Sequence, residues 1–536
     1  MTSTGNITAS SAGAFGIRGA ITGSGNIGIV VNGGTVSGGS GAGAGVSFVG
    51  GATNTLTNAG TLSPGGSGPI QTTALTGNLV QTGAGRVAVD LNMATGAADR
   101  LNVTGTANLA GTVVLNVLTP QARLQEVTIL SAAGGTTNAG LAVSSQFNSP
   151  AIVVQLHYPN ATDVVLGTSI NFAVSGLNGN QASLGSHLDA ALTAGSSGLG
   201  TVVIGLLNTK GLAAYKAALD QLSPEVQLKS QVSSLYSSLN FANNLMSCKV
   251  GNGANAFISE GQCVWAQLSA RSLRLSDTDS TIGSKEESEQ FAGGAQLRFA
   301  PNLHLGFAAG YEHSAITSSL AARSSGDRAQ GGIALKYTSG PMLLAASISG
   351  GQGWYDTTRP MAFGGFNAMA SSSNDVSYFG GKLRAAYLLG MGDWYLKPMV
   401  DFNATRLSNG GFTETGAGGA NLTVASTDRT VLSASPALEI GTQGALWQSV
   451  LLRPYVRGGA SFFHNTNFGA TARFTGTPSG VAGFSTTTSI DRVVADVSAG
   501  ADLFVANDIA LKLSYDGQYG DTTRQHSFGG RASFKF

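Results

Sequence analysis

From about residue 255 to the last residue the hydrophobic period is two and stays two, and nowhere in the 536 residues is there an apolar run of 18. Side chains of a strand point alternately to its two faces, so this half must become sheet with one apolar and one polar face. Val493, Ala495, Val497, Ala499, Ala501, Leu503 and Val505 share one face, opposite Asp496, Ser498, Gly500 and Asp502. Leu303, Leu305, Phe307, Ala309 and Tyr311 oppose His304 and Glu312, and Trp394, Leu396, Val400 and Phe402 oppose Lys397 and Asp401.

Twelve strands follow from this pattern, at about 264–275, 288–300, 303–316, 325–339, 341–357, 374–389, 393–408, 427–442, 450–465, 490–506, 509–520 and 524–536. Each is at least ten residues long, the length a tilted membrane crossing needs. Tight connections at Pro301-Asn302, Gly340, Gly390–Gly392 and Asn507-Asp508, with a looser one at 443–449, alternate with long polar ones at 276–287, 361–373, 409–426 and 466–489. A soluble sandwich has no reason to sort its loops in this way; a membrane barrel does, with short turns at the periplasmic rim. Its backbone groups pair between strands, so it crosses lipid without a long apolar run. The polar face then lines a lumen, to which the pattern assigns Lys397, Asp401, Arg453, Arg457, Asp496, Lys512 and Asp516.

The first 180 residues hold only eight charged side chains. Short β-branched runs such as GIVVNGGTV (28–36), NVTGTANLAGTVVLNVL (102–118) and SPAIVVQLHY (149–158) alternate there with Gly, Asn, Ser and Thr turns. Each run is too short to make a core by itself, and stacked rungs bury one together, the logic of a β-solenoid. Between these halves, GLAAYKAALDQL (211–222) reads as helix. Ser223-Pro224-Glu225 offers a cap, a first-turn proline and an early acid, and Leu228, Val232, Leu235 and Leu239 follow on one stripe. That stripe is backed by Ser, Gln and Asn, which suits a wet, confined lumen.

Composition narrows the function. With 29 basic and 28 acidic side chains the net charge is +1, which recommends no nucleic-acid partner. Only His157 lies in the solenoid region, and no GxSxG elbow is present, so a hydrolase is not expected. Neither a cofactor nor a metal site is expected: the glycine run at 39–45 lacks a strand-to-helix setting and the other histidines lack ligand spacing. Cys248 and Cys263 can close a loop of about 15 residues in an oxidising compartment, and sequence alone leaves two unrelated thiols equally open.

Several segments resemble a known family. SFGGRASFKF, with Phe528, Phe534 and the final Phe536 on one face, is similar to the terminal strand of bacterial outer-membrane proteins. ALDQLSPEVQ (218–227) resembles the segment before the barrel of classical (type Va) autotransporters. Residues 60–92, 99–118 and 127–135 resemble the repeats near the end of their β-helical passengers. The resemblance implies an all-β protein with a linker helix. Its parts would be residues 1–175 of a right-handed passenger solenoid, a helical linker at 176–254 with the pore helix at about 223–247, and a 12-stranded antiparallel barrel at 255–536. It implies an outer-membrane location with the passenger at the cell surface, and as partners membrane lipid, the barrel-assembly machinery and periplasmic chaperones. In that setting Phe528, Phe534 and Phe536 are the assembly signal, and the protein acts as a monomer on a surface ligand the sequence does not name. The N-terminus lacks a basic region and an apolar core, so the chain is expected to start downstream of its export signal. Some members of the family cut themselves in the pore helix through an asparagine, and Asn243-Asn244 lies in that segment. The rival reading is a surface adhesin that stays uncut and uses the barrel only as an anchor.

Overall fold

The computed structural model describes every residue except 39–44, 247, 250–254, 448–449 and 506–507. Residues 39–44 of the glycine run and parts of the turns at 443–449 and Asn507-Asp508 therefore lie outside the described residues. Two compact units are present: one comprises Met1–Gly176, Gly185–Ala217 and Phe363–Phe366, the other Leu177–Leu184, Ala218–Ala362 and Asn367–Phe536.

The first unit is a parallel β-solenoid. Six parallel strands from Thr2–Ser3 to Thr136–Asn138 form one face, and a second face runs from Ile7–Thr8 to Ala142–Ser145. Residues stacked on neighbouring rungs, such as Thr2 on Val30, Ile29 on Leu56, Leu56 on Leu79, Leu79 on Ala107 and Ala107 on Thr136, are 28, 27, 23, 28 and 29 positions apart. That drift is why the repeat is irregular in sequence. Inward side chains from successive rungs, including Ile29, Leu56, Leu79, Leu91 and Leu115, are buried in one continuous core. Corners need close backbone approach: a Cβ on Gly111, at φ +77°, would lie 2.2 Å from the carbonyl oxygen of Gly85. The stack ends when Asp163–Ile170 pairs antiparallel with both Leu124–Ala132 and Ile152–His157.

Four helices follow: α1 (Gly179–Thr193), α2 (Gly200–Leu207), α3 (Leu212–Gln221) and α4 (Glu225–Asn244). Among the described residues no helix is long and apolar enough to cross a membrane.

Twelve long strands then form one closed antiparallel sheet: β1 (Cys263–Leu275), β2 (Ser284–Ala300), β3 (Leu303–Ser318), β4 (Arg323–Ser339), β5 (Met342–Phe363), β6 (Phe366–Tyr387), β7 (Trp394–Asn409), β8 (Thr427–Thr442), β9 (Val450–His464), β10 (Val493–Val505), β11 (Ile509–Tyr519) and β12 (Thr523–Lys535). β1 pairs with β12 along its whole length, which closes the ring. The outer face carries Leu268, Phe307, Ile333, Leu383, Phe402, Leu438 and Leu513, all exposed. Exposed Phe299, Tyr337, Tyr387, Trp394, Trp447 and Phe534 stand near the short-turn rim, and Tyr311, Trp354 and Tyr519 toward the other, as in the aromatic girdles of a barrel in lipid.

Three connections differ from expectation. Residues 361–373 are not a polar loop: β5 and β6 run through them as a hairpin that turns on Gly364 and Gly365, both at positive φ. Met361 and Ala370 remain buried, so alternation continues where a long polar connection was expected. Likewise 409–426 and 466–489 supply a four-stranded sheet of Phe412–Thr413, Leu422–Val424, Asn467–Phe474 and Phe484–Ser489. Phe468, Phe474 and Phe484 form its buried side.

Candidate functional site

The lumen is filled by α4. The helix starts at Glu225, preceded by Pro224, and Ser223 makes no side-chain cap. At this end the Glu225 carboxylate accepts the Ile282 amide (2.7 Å) and Lys229 donates to Thr488 (2.6 Å). Gln227 donates to Glu414 (2.9 Å), which also holds Arg359 and the Leu422 amide (2.8 Å). Ile282, Thr488, Glu414 and Leu422 belong to long connections, so α4 enters at the long-loop rim.

Halfway along, the wall meets a row of buried serines. Ser233 donates to Glu286 (2.7 Å) and Ser237 to Glu312. Arg271 bridges Glu286 (2.8 Å) and Glu312 (2.7 Å), while Arg328 pairs with Glu312 (3.0 Å) and donates to Ser234 (2.9 Å). Two guanidinium groups and two carboxylates, all buried, neutralise one another around the helix; unpaired, any one of them would be costly. The apolar stripe has partners too, since Val232, Leu235 and Tyr236 pack with Leu273, Leu275, Tyr378, Leu407 and Phe463.

At its C-terminal end α4 reaches a polar cavity of about 210 Å³ near the short-turn rim. Of the seven residues assigned to the lumen from sequence, Lys397, Asp401, Arg457, Asp496, Lys512 and Asp516 line this cavity. Lys397 pairs with Glu439 (2.6 Å), Asp401 with Lys382 (2.6 Å) and Arg384 (2.7 Å), and Arg457 with Asp516 (3.0 Å). Asp496 accepts from Gln518 (2.7 Å), and the Lys512 ammonium stands 5.3 Å from the centre of the Tyr455 ring. Arg453, wholly buried, donates instead to the backbone oxygen of Ala256 (3.1 Å).

Asn243 and Asn244 border the same cavity. The Asn243 side-chain oxygen accepts Lys382 (2.7 Å) and Arg384 (3.2 Å). Asn244 accepts Gln267 (2.9 Å), donates to Gln290 (3.1 Å), and its backbone carbonyl accepts Arg531 (2.7 Å). Phe528, Phe534 and Phe536 are 61, 55 and 64% exposed on the outer face of the last strand. Cys248 and Cys263 are joined in a disulfide with their Cα atoms 6.2 Å apart. Among the described residues no group of three or more His, Cys, Asp or Glu side chains is placed to hold a metal.

Sequence reading missed Arg271, Glu286, Arg328, Arg359 and Glu414, the charges that grip the helix. The first four sit on the lumen face of their strands, so alternation could have found them. Glu414 lies in what reads as a loop and carries no such signal.

A closed antiparallel barrel with an apolar outer belt and a helix through its pore is the architecture of an outer-membrane barrel protein. Residues 264–516 match the family model of the autotransporter beta-domain, and this part of the chain is such a domain. Similar solved structures include the translocator domain of autotransporter NalP from Neisseria meningitidis, at 14% identity over 58% of this chain and 99% of that one, with a TM-score of 0.46. The beta domain of the Bordetella autotransporter BrkA follows at 14% identity, over 52% and 100%, with a TM-score of 0.37. The transport unit of AIDA-I from Escherichia coli is similar at 11% identity, over 56% and 98%, with a TM-score of 0.35. No curated protein matches the chain.

Proposed function

We propose that this protein delivers its own solenoid to the bacterial surface and then remains in the outer membrane with α4 closing the pore. The observation that carries this reading is the direction of α4. Its start is bound at the long-loop rim and its end at the short-turn rim, so the chain upstream of Glu225 leaves the lumen on the long-loop side. Long loops face outward in outer-membrane barrels. Folding of stacked rungs outside would oppose backsliding, and no nucleotide chemistry is invoked. The barrel-assembly machinery would read the aromatic face of β12, after periplasmic chaperones have kept the chain unfolded, and the barrel would act as a monomer. The test is protease added to intact cells. Loss of residues 1–175 with survival of a barrel fragment is expected; a solenoid that is cut only after the outer membrane is broken sinks the reading.

One contact supports a second reading, a single-turnover cleavage after Asn244. Attack of the Asn244 amide nitrogen on its own backbone carbonyl carbon forms a succinimide, breaks the bond to Leu245 and leaves the Leu245 amine protonated. Arg531 already donates to that carbonyl oxygen, where negative charge would develop. N-terminal sequencing of the membrane-bound product decides: a fragment starting at Leu245, lost in Asn244→Ala, supports cleavage. Full-length protein in both instead indicates uncut display, the adhesin-like alternative.

A further inference from the structure

The segment between α4 and β1 is more than a connection. Lys249 and Glu260 form an antiparallel bridge, and the disulfide from Cys248 to Cys263 closes the two ends of the segment together. Phe257 and Ile258 reach across the lumen to pack on Leu343, Ala386, Leu388 and Tyr395, with the Phe257 and Tyr395 ring centres 4.4 Å apart. Leu343 starts β5, Leu388 follows the end of β6 and Tyr395 starts β7, so all three stand at the short-turn rim. Arg453 stacks between Phe257 and Phe504, 4.8 Å from the centre of each ring. Glu260 accepts Lys336 (3.1 Å), Gln296 (3.0 Å) and the Cys248 amide (2.7 Å), and Lys249 pairs with Asp502 (3.2 Å). These contacts anchor the segment to β2, β4, β5, β6, β7, β9 and β10, most of the circumference.

We propose that Asn255–Cys263 is a second seal of the pore, separate from α4, clamped across the short-turn rim by the Cys248–Cys263 disulfide. The pore helix and this segment then enclose the charged cavity between them: Asn240, Asn243 and Asn244 border it from the helix, and Lys249, Phe257, Ile258 and Glu260 from the segment. The chemistry fits a seal. Apolar rings against an apolar wall exclude water, and the two charged anchors, Lys249 and Glu260, are neutralised where they cross. A consequence follows for the pore: moving the helix alone does not connect the two sides of the membrane. The inference rests on the barrel being a membrane pore, and its test does not depend on surface delivery.

The test uses the full chain, folded in detergent, with a charged amine-reactive reagent and mass spectrometry. Lys382 and Lys397, buried in the cavity, report on the seal, and Lys229, buried at the far end of α4, reports on the helix. Two arms are compared with oxidised wild type. In one, a dithiol reduces the folded protein, delivering two electrons and two protons to give two thiols while becoming a disulfide itself. In the other, Phe257→Ser with Ile258→Ser removes the apolar anchor with both cysteines intact. In each arm labelling of Lys382 and Lys397 should rise about tenfold or more while Lys229 stays protected, because only a local opening is involved. Protection of Lys382 and Lys397 in either arm overturns the proposal. So does labelling of Lys229 in step with them, since the segment would then be holding the helix rather than sealing the rim.

Discussion

Asp99, inside the solenoid, accepts the amides of Gln71 (2.7 Å) and Asp90 (2.9 Å) and is buried next to the Asp90 carboxylate. Burial pushes its pKa up to about 7, more than the two amides lower it. An Asp in the unfolded chain titrates near 4, so the solenoid gains full benefit from the protonated group below about pH 4 and loses it as pH rises through about 7. The urea midpoint of the solenoid should fall over that window. Asp99→Asn should remove this component and also cost about 1–3 kcal/mol, because an NH2 then faces a backbone N–H. In the barrel, Glu312 is the shared partner of Arg271 and Arg328. Glu312→Ala leaves buried guanidinium groups short of an anion and should destabilise by about 3–5 kcal/mol, read as a lower temperature for loss of the compact barrel on gels. Ser230→Ala removes a bond donated to the Gln227 carbonyl (2.7 Å) and a long one accepted from Asn374 (3.5 Å), neither of them to a charged group, at a cost of about 0.5–1.5 kcal/mol.

Among the elements, α4 was the more legible and the small external sheet the less. A proline-led start and a stripe at spacings of 4, 3 and 4 belong to the helix wherever it sits, so the segment announces itself locally. The strands at 412–424 and 467–489 are short, and the pairing that joins the two hairpins, Leu422 with Phe474, links residues 52 positions apart, so little that is local distinguishes them from loop. Helices α1 and α2 fall within the stretch expected to be a helical linker, but the sequence bounds neither individually: α1 carries no charge in its first or last turn, and α2 is a short run of Gly, Val, Ile and Leu with no side-chain cap. Glu414 ties that external sheet to the helix through Gln227 and to the wall through Arg359. Glu414→Ala should therefore make residues 410–426 more susceptible to limited proteolysis, while the barrel strands stay resistant.

For the whole molecule, the two faces of the barrel should respond oppositely to the same change. Leu513, 73% exposed, lies mid-strand on the outer belt, and Ser514 beside it lines the cavity. Leu513→Arg should cost about 2–4 kcal/mol of folding free energy in lipid vesicles, measured as the folded fraction. Ser514→Arg enters a polar space and should cost less. What the sequence determined by itself was periodic: two-residue alternation over twelve strands, a helix of polar backing, and rungs too short to stand alone. Periodicity fixes which side of each element is apolar, because it follows from backbone geometry within a few residues. Which charges meet across the lumen, that 361–373 continues as a hairpin, and that Phe257 and Ile258 cross the pore were decided only in three dimensions. The hairpin is local, but the lumen pairs and the crossing segment join residues on different strands, and only closing the sheet into a ring brings those partners within reach.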